Sequence, residues 1–145
     1  MTLLRLILLF AATVVAIGLL GIVAWLIYAA WLARVERRLL ERMLGASGWR
    51  VEAAPDGEAG LALAAERRPD VIVLDVMMPR LNGYQACRRL KAEPATAAIP
   101  IVIVTTKDQP ADEFWAREVG ADAFLAKPVD VQELTALLDR LTEPR

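Results

Sequence analysis

The pattern of apolar and polar positions divides the chain into two unlike parts. From Leu6 to Ala33 there are 28 consecutive residues without a charge, apolar all round rather than along one stripe. From Arg34 onward the apolar positions become periodic, and the period switches repeatedly. Val35, Leu39, Leu40, Met43 and Leu44 recur at helical spacing with charges opposite, and Gly45 and Gly48 predict the stop. Trp49-Arg50-Val51-Glu52-Ala53 alternates as a half-exposed or edge strand does, and Pro55-Asp56-Gly57 reads as a turn. Glu58 to Arg68 predicts a helix with Leu61, Ala62 and Ala65 on one face. Val71 to Asp75 is an unbroken run rich in β-branched residues, which predicts a parallel strand covered on both faces.

The alternation continues to the carboxyl terminus. Gly83 to Ala92 predicts a helix with Asn82 as its cap. Ile99 to Val104 predicts a second buried strand, followed by Thr105-Thr106-Lys107. A helix is expected from about Ala111 to Val119, stopped by Gly120, and a short strand over Ala123–Ala126, followed by Lys127-Pro128. The last helix is expected over Val131–Leu141, with Asp130 and Glu133 spaced as a capping box. Strands alternating with helices predict a doubly wound, parallel α/β sheet. The expected division is a membrane segment over 1–33 and an α/β domain over 34–145.

The first segment exceeds the ~20 apolar residues that cross a bilayer. It is longer than the ~7–15-residue core of a cleaved signal peptide, and a domain this small cannot surround a helix apolar on every side. Trp25, Tyr28 and Trp31 recur at spacing three near its far end, where an aromatic belt would lie. Arg34, Arg37, Arg38 and Arg42 follow it, against Arg5 before it, so the arginine bias predicts a single crossing of the inner (cytoplasmic) membrane with the α/β domain in the cytoplasm. Gly18 and Gly21 are three apart and make no GxxxG face; the oligomeric state is not indicated.

Charge and composition mainly exclude. The 17 basic and 18 acidic residues leave a net charge of −1, which offers no electrostatic case for binding nucleic acid. Cys87 is the single cysteine and there is no histidine. That removes Ser-His-Asp and Cys-His catalysis, and leaves no zinc or redox cluster.

Three predicted parallel strands end in chemically useful groups: Asp75, Thr105 and Lys127. Strand ends on one edge of such a sheet converge, and that edge is where open α/β sheets hold ligands. A carboxylate there can attack phosphorus and carry it as an acyl phosphate. The hydroxyl can donate to a phosphoryl oxygen and the ammonium can neutralise its charge. Each residue alone has a structural explanation; the conjunction is far more specific.

The stretch from about Arg34 to Leu141 resembles a response-regulator receiver domain, the phospho-acceptor module of two-component signalling. The resemblance is carried by Val71-Ile72-Val73-Leu74-Asp75-Val76-Met77-Met78-Pro79 with Asn82-Gly83, by Ile101-Val102-Ile103-Val104-Thr105, and by Gly120-Ala121-Asp122-Ala123-Phe124-Leu125-Ala126-Lys127-Pro128. It implies a flavodoxin-like fold with strand order 2-1-3-4-5, phosphorylation of Asp75, a switch pair Thr105 and Phe124, a phosphoryl-binding Lys127 and a cis bond before Pro128. It also implies Mg²⁺ held by Asp75 and the Met77 backbone carbonyl, a histidine kinase or phosphotransfer protein as partner, and an output surface on the last two helices and last strand.

The chain departs from the pattern at one place. Family members begin with a central strand that ends in two metal-holding acids. A gap-free count puts those acids at Trp31 and Leu32, and the strand at Leu26–Ala30, inside the apolar segment. With no proline or glycine from Ile22 to Leu44, and Ala, Leu and Arg dominating, continuous helix from the apolar segment through Leu44 is the expectation there. Mg²⁺ then loses two carboxylates and phosphorylation is expected to be slow or absent. No output domain follows the receiver-like stretch, so signalling by protein contact is expected rather than enzymatic activity. Two alternatives remain: a degenerate pseudo-receiver or truncated, non-functional chimera, and a phosphatase of the haloacid-dehalogenase type. The second would need an Asp where Met77 stands.

Overall fold

The computed structural model describes residues 2–106 and 110–143, with only the backbone for 2–12 and 110–112. Lys107 and the side chain of Arg5 therefore lie outside the description. The chain separates into two compact units, Met1–Arg42 and Met43–Arg145.

Helix α1 runs over Thr2–Ala46, 45 residues, about 68 Å at 1.5 Å per residue. Leu26–Ala30, Trp31 and Leu32 are all helical within it. Ala- and Leu-rich sequence without proline favours this outcome over a strand. Val14, Ile17, Leu20, Trp25 and Ile27 are exposed apolar side chains, and Tyr28 stacks on Trp31 with ring centroids 6.1 Å apart. Within Thr13–Ala46 an 18-residue window has a mean hydropathy of 2.3, and the helix is long and apolar enough to cross a membrane. Gly45 does not stop α1; the turn comes at Gly48, whose φ of +93° suits glycine.

The second unit contains α2 (Gly57–Arg67), β1 (Ile72–Asp75), α3 (Gly83–Ala92), β2 (Ile101–Thr105), α4 (Pro110–Glu118), β3 (Ala123–Ala126) and α5 (Val131–Thr142). The strands form one parallel sheet in the order β1-β2-β3. Strand alternation over Trp49–Ala53 did not produce a strand. Its neighbour would have been Leu26–Ala30; with those residues helical, the segment has no ladder to join, and Glu52 instead pairs with Arg67 of α2 at 3.4 Å. Among the described residues the sheet therefore has three strands rather than five.

All five residues of β2 are buried, as expected of a middle strand covered on both faces. Ile101 and Ile103 join Leu74, Val76, Leu81, Ala86, Cys87, Leu90, Ala116 and Val119 in one core cluster. Leu134, Leu137 and Leu138 of α5 are buried outside that cluster. Helix starts follow their caps. Asn82 and Gln85 make a reciprocal capping box on α3, and Asp130 accepts from the Gln132 and Glu133 N–H groups at the start of α5.

Candidate functional site

Asp75 is the last residue of β1, Thr105 the last of β2, and Lys127 follows β3 directly. The register pairs Asp75 with Val104 and Thr105 with Ala126. Parallel strands in this register end together, so the three residues reach one edge. Lys127 Nζ donates to Asp75 Oδ2 at 2.7 Å, and the Met77 N–H donates to Asp75 Oδ1 at 2.9 Å. The main-chain N–H of Lys127 donates to the Thr105 carbonyl at 2.7 Å. Thr105 is fully buried. The Lys127–Pro128 bond is cis.

The loop after β1 is shaped by close backbone contacts. The Val76 N–H continues the ladder to the Val104 carbonyl at 3.0 Å, and the Gly83 N–H returns to the Val76 carbonyl at 3.2 Å. A Cβ at Gly83 would lie 2.5 Å from the Asp75 carbonyl oxygen. Only glycine permits this approach, which is why Asn82-Gly83 follows the strand. Arg80 takes a left-handed φ of +66°, and its guanidinium pairs with the buried carboxylate of Asp56. Asp56 also caps α2 by accepting from the Ala59 N–H at 3.0 Å. That N–H, and then Arg80, hold the Asp56 carboxyl below the usual carboxylate range against the opposing cost of burial. The loop carrying Met77 is thereby tied to the start of α2.

Phe124 is half-buried and packs against the core cluster. With Leu125 it also lines a groove against Glu133, Ala136, Leu137 and Arg140 of α5. Phe114 and Trp115 of α4 are exposed and meet edge to face, their centroids 5.7 Å apart.

The donor set does not fit a hard divalent cation. Mg²⁺ wants near-octahedral oxygen ligands. Asp75 supplies one carboxylate, and both its oxygens already accept a donor. Among the described residues, no three His, Cys, Asp or Glu side chains gather to hold a metal. Trp31 and Leu32 offer no side-chain oxygen and are helical.

Some of this geometry escaped the sequence. The role of the Met77 N–H, rather than its carbonyl, on Asp75 had no sequence signal. The Asp56 cap did have one: an Asp before a predicted helix is a start signal. Its pairing with Arg80 depends on a left-handed backbone that sequence does not announce.

Comparison with known proteins bears on the whole second unit. A family-wide model described as the response regulator receiver domain matches residues 33–139. Protein PilH of Pseudomonas aeruginosa is 47% identical over 99 residues, covering 68% of this chain and 82% of PilH. Response regulator PleD of Caulobacter vibrioides is 46% identical over 105 residues, covering 72% of this chain but 23% of PleD. The receiver domain of a sensor histidine kinase from Pseudomonas aeruginosa PAO1, solved with a magnesium ion coordinated in its active site cleft, matches with a TM-score of 0.71 and 31% identity over 77% of this chain and 91% of that one. A response regulator structure from Chloroflexus aurantiacus matches with a TM-score of 0.72 and 30% identity, covering 76% and 90%.

Proposed function

The chain belongs to the response regulator receiver family, and from that premise we propose that it is a membrane-anchored receiver module, accepting a phosphoryl group on Asp75 from a histidine kinase or phosphotransfer protein and signalling by protein contact. One observation carries the reading: the Lys127 ammonium sits 2.7 Å from the Asp75 carboxylate at the carboxyl edge of the sheet, beside Thr105. In the transfer, an Asp75 carboxylate oxygen forms a bond to phosphorus as the donor's phosphorus–nitrogen bond breaks, and the electron pair returns to the donor's imidazole nitrogen. Charge spreads over the phosphoryl oxygens as this happens, so positioning and electrostatics govern the rate. Lys127 turns from the carboxylate to those oxygens. Its backbone remains fixed by the N–H bond to Thr105. The Thr105 hydroxyl provides a further donor, and Phe124 and the groove along α5 carry the change to a partner.

The test is incubation of the full-length protein, in lipid nanodiscs, with acetyl phosphate. Intact mass is expected to show slow gain of one phosphoryl group, absent in Asp75→Asn. No gain, or a gain that survives Asp75→Asn, overturns the reading. The anchor is tested separately. The four arginines after the apolar segment support a cytoplasmic receiver, so Glu143→Cys should resist an impermeant maleimide in intact cells. Cys87 is buried and does not compete for the label. Labelling from outside contradicts the topology.

A further inference from the structure

We propose that the Asp75 site works without a divalent cation, its charge being balanced inside the chain by Lys127. The inference rests on Asp75 being the phosphoryl acceptor, and goes further by saying what stands opposite it at rest. The carboxylate carries one negative charge and the ammonium at 2.7 Å one positive charge, so the pair sums to zero. A divalent cation would have to displace that ammonium, or sit beside it as a like charge, and would find no cluster of three acids among the described residues in return. Affinity in oxygen-ligand sites depends strongly on the number of charged ligands.

Two other acids among the described residues are already engaged. Asp56, tied to the same loop through Arg80, holds that guanidinium and the Ala59 N–H. Asp122 pairs with Lys91 at 2.8 Å and accepts from the Ile101 N–H at the opposite end of β2. The Met77 N–H, at 2.9 Å from Oδ1, points a donor at the carboxylate, which further satisfies the anion without a metal. The resting contact between β1 and the β3–α5 connection then depends on the Asp75–Lys127 pair and not on the divalent ion concentration.

The experiment is a Mn²⁺ titration of the full-length protein in nanodiscs of neutral lipid, with free ion followed by its electron paramagnetic resonance signal. The wild-type and Asp75→Asn isotherms should coincide. A saturable site with Kd below about 1 mM, the upper end for weak oxygen-ligand sites, that Asp75→Asn abolishes would overturn the inference. Acetyl phosphate labelling gives an independent arm. Its rate should agree within about twofold between EDTA and Mg²⁺, and a tenfold acceleration by Mg²⁺ contradicts the proposal. If neither mutant-sensitive Mn²⁺ binding nor any label on Asp75 is found, the acceptor role falls and the inference with it; mutant-sensitive Mn²⁺ binding with labelling on Asp75 keeps the acceptor role and overturns only the metal-free site.

Discussion

Two aspartate–lysine pairs lie at opposite ends of the sheet, and locally they are almost the same. Lys91 reaches Asp122 at 2.8 Å, with side chains 21% and 39% exposed; Lys127 reaches Asp75 at 2.7 Å, with 22% and 34%. Their commitments differ. Lys91 Nζ also donates to the Ala97 and Ile99 carbonyls at 3.4 and 3.0 Å. Asp122 Oδ2 also accepts from the Ile101 N–H at 2.8 Å. That pair stitches α3, the loop into β2 and the turn before β3 into one piece. Asp75 instead faces the carboxyl edge of parallel strands, beside Thr105, where such sheets place ligand chemistry. An ion pair alone does not mark a site; the end of the strand and the other bonds of the pair decide what it does.

The largest effect should come from disturbing the backbone under one pair while leaving the other intact. Gly83→Ala pushes a methyl into the Asp75 carbonyl and is expected to cost about 2–3 kcal/mol, the upper part of the range for overpacking. Urea unfolding measures it, and an unchanged midpoint would mean that the loop yields. Next, Lys91→Met removes the ammonium donor from two carbonyls and from Asp122, which keeps the Ile101 N–H. It should cost about 1–2 kcal/mol, discounted because the pair is partly exposed, with phosphoryl uptake retained. Lys127→Met should show the opposite profile: a stability loss below about 1 kcal/mol, with uptake reduced at least tenfold. If both variants lose stability equally and keep uptake equally, the distinction between the two ends collapses.

Two smaller effects sharpen the picture through titration. The Asp56 carboxyl is held below its ordinary range, so its stabilisation is present above the unfolded value of about 3.9. It is lost as pH falls through the lower folded value. Asp56→Asn should flatten that acid limb in thermal melts taken between about pH 5 and 2. Cys87 donates to the Val119 carbonyl at 3.5 Å, and burial pushes its thiol up to about 11. The folded thiol therefore stays protonated at pH 8, and iodoacetamide should modify it only as the protein unfolds.

Much of the site was legible because its residues end periodic runs. Asp75 closes a β-branched stretch, Thr105 closes another, and Lys127 follows Ala123–Ala126, so a parallel sheet brings them together. Trp49–Ala53 was misread for a physical reason. Alternation shows that a segment can lie half-exposed, but a strand also needs a neighbour, and Leu26–Ala30 followed its helical composition into α1. The Asp56–Arg80 and Lys91–Asp122 pairs join residues 24 and 31 positions apart, and no local pattern specifies either partner. Tyr84, Cys87 and Leu90 recur at spacing three along α3, a weak stripe by itself, yet Cys87 and Leu90 are core residues, because packing against the sheet supplies their burial.

The most direct test of the account is to find where the phosphoryl group goes. After labelling with acetyl phosphate, borohydride reduces an acyl phosphate to the alcohol, which peptide mass spectrometry assigns to one residue. The account predicts the modification at Asp75, retained in Lys91→Met and lost in Lys127→Met. Modification at Asp122 or Asp56, or equal modification of Asp75 in both lysine variants, would contradict it.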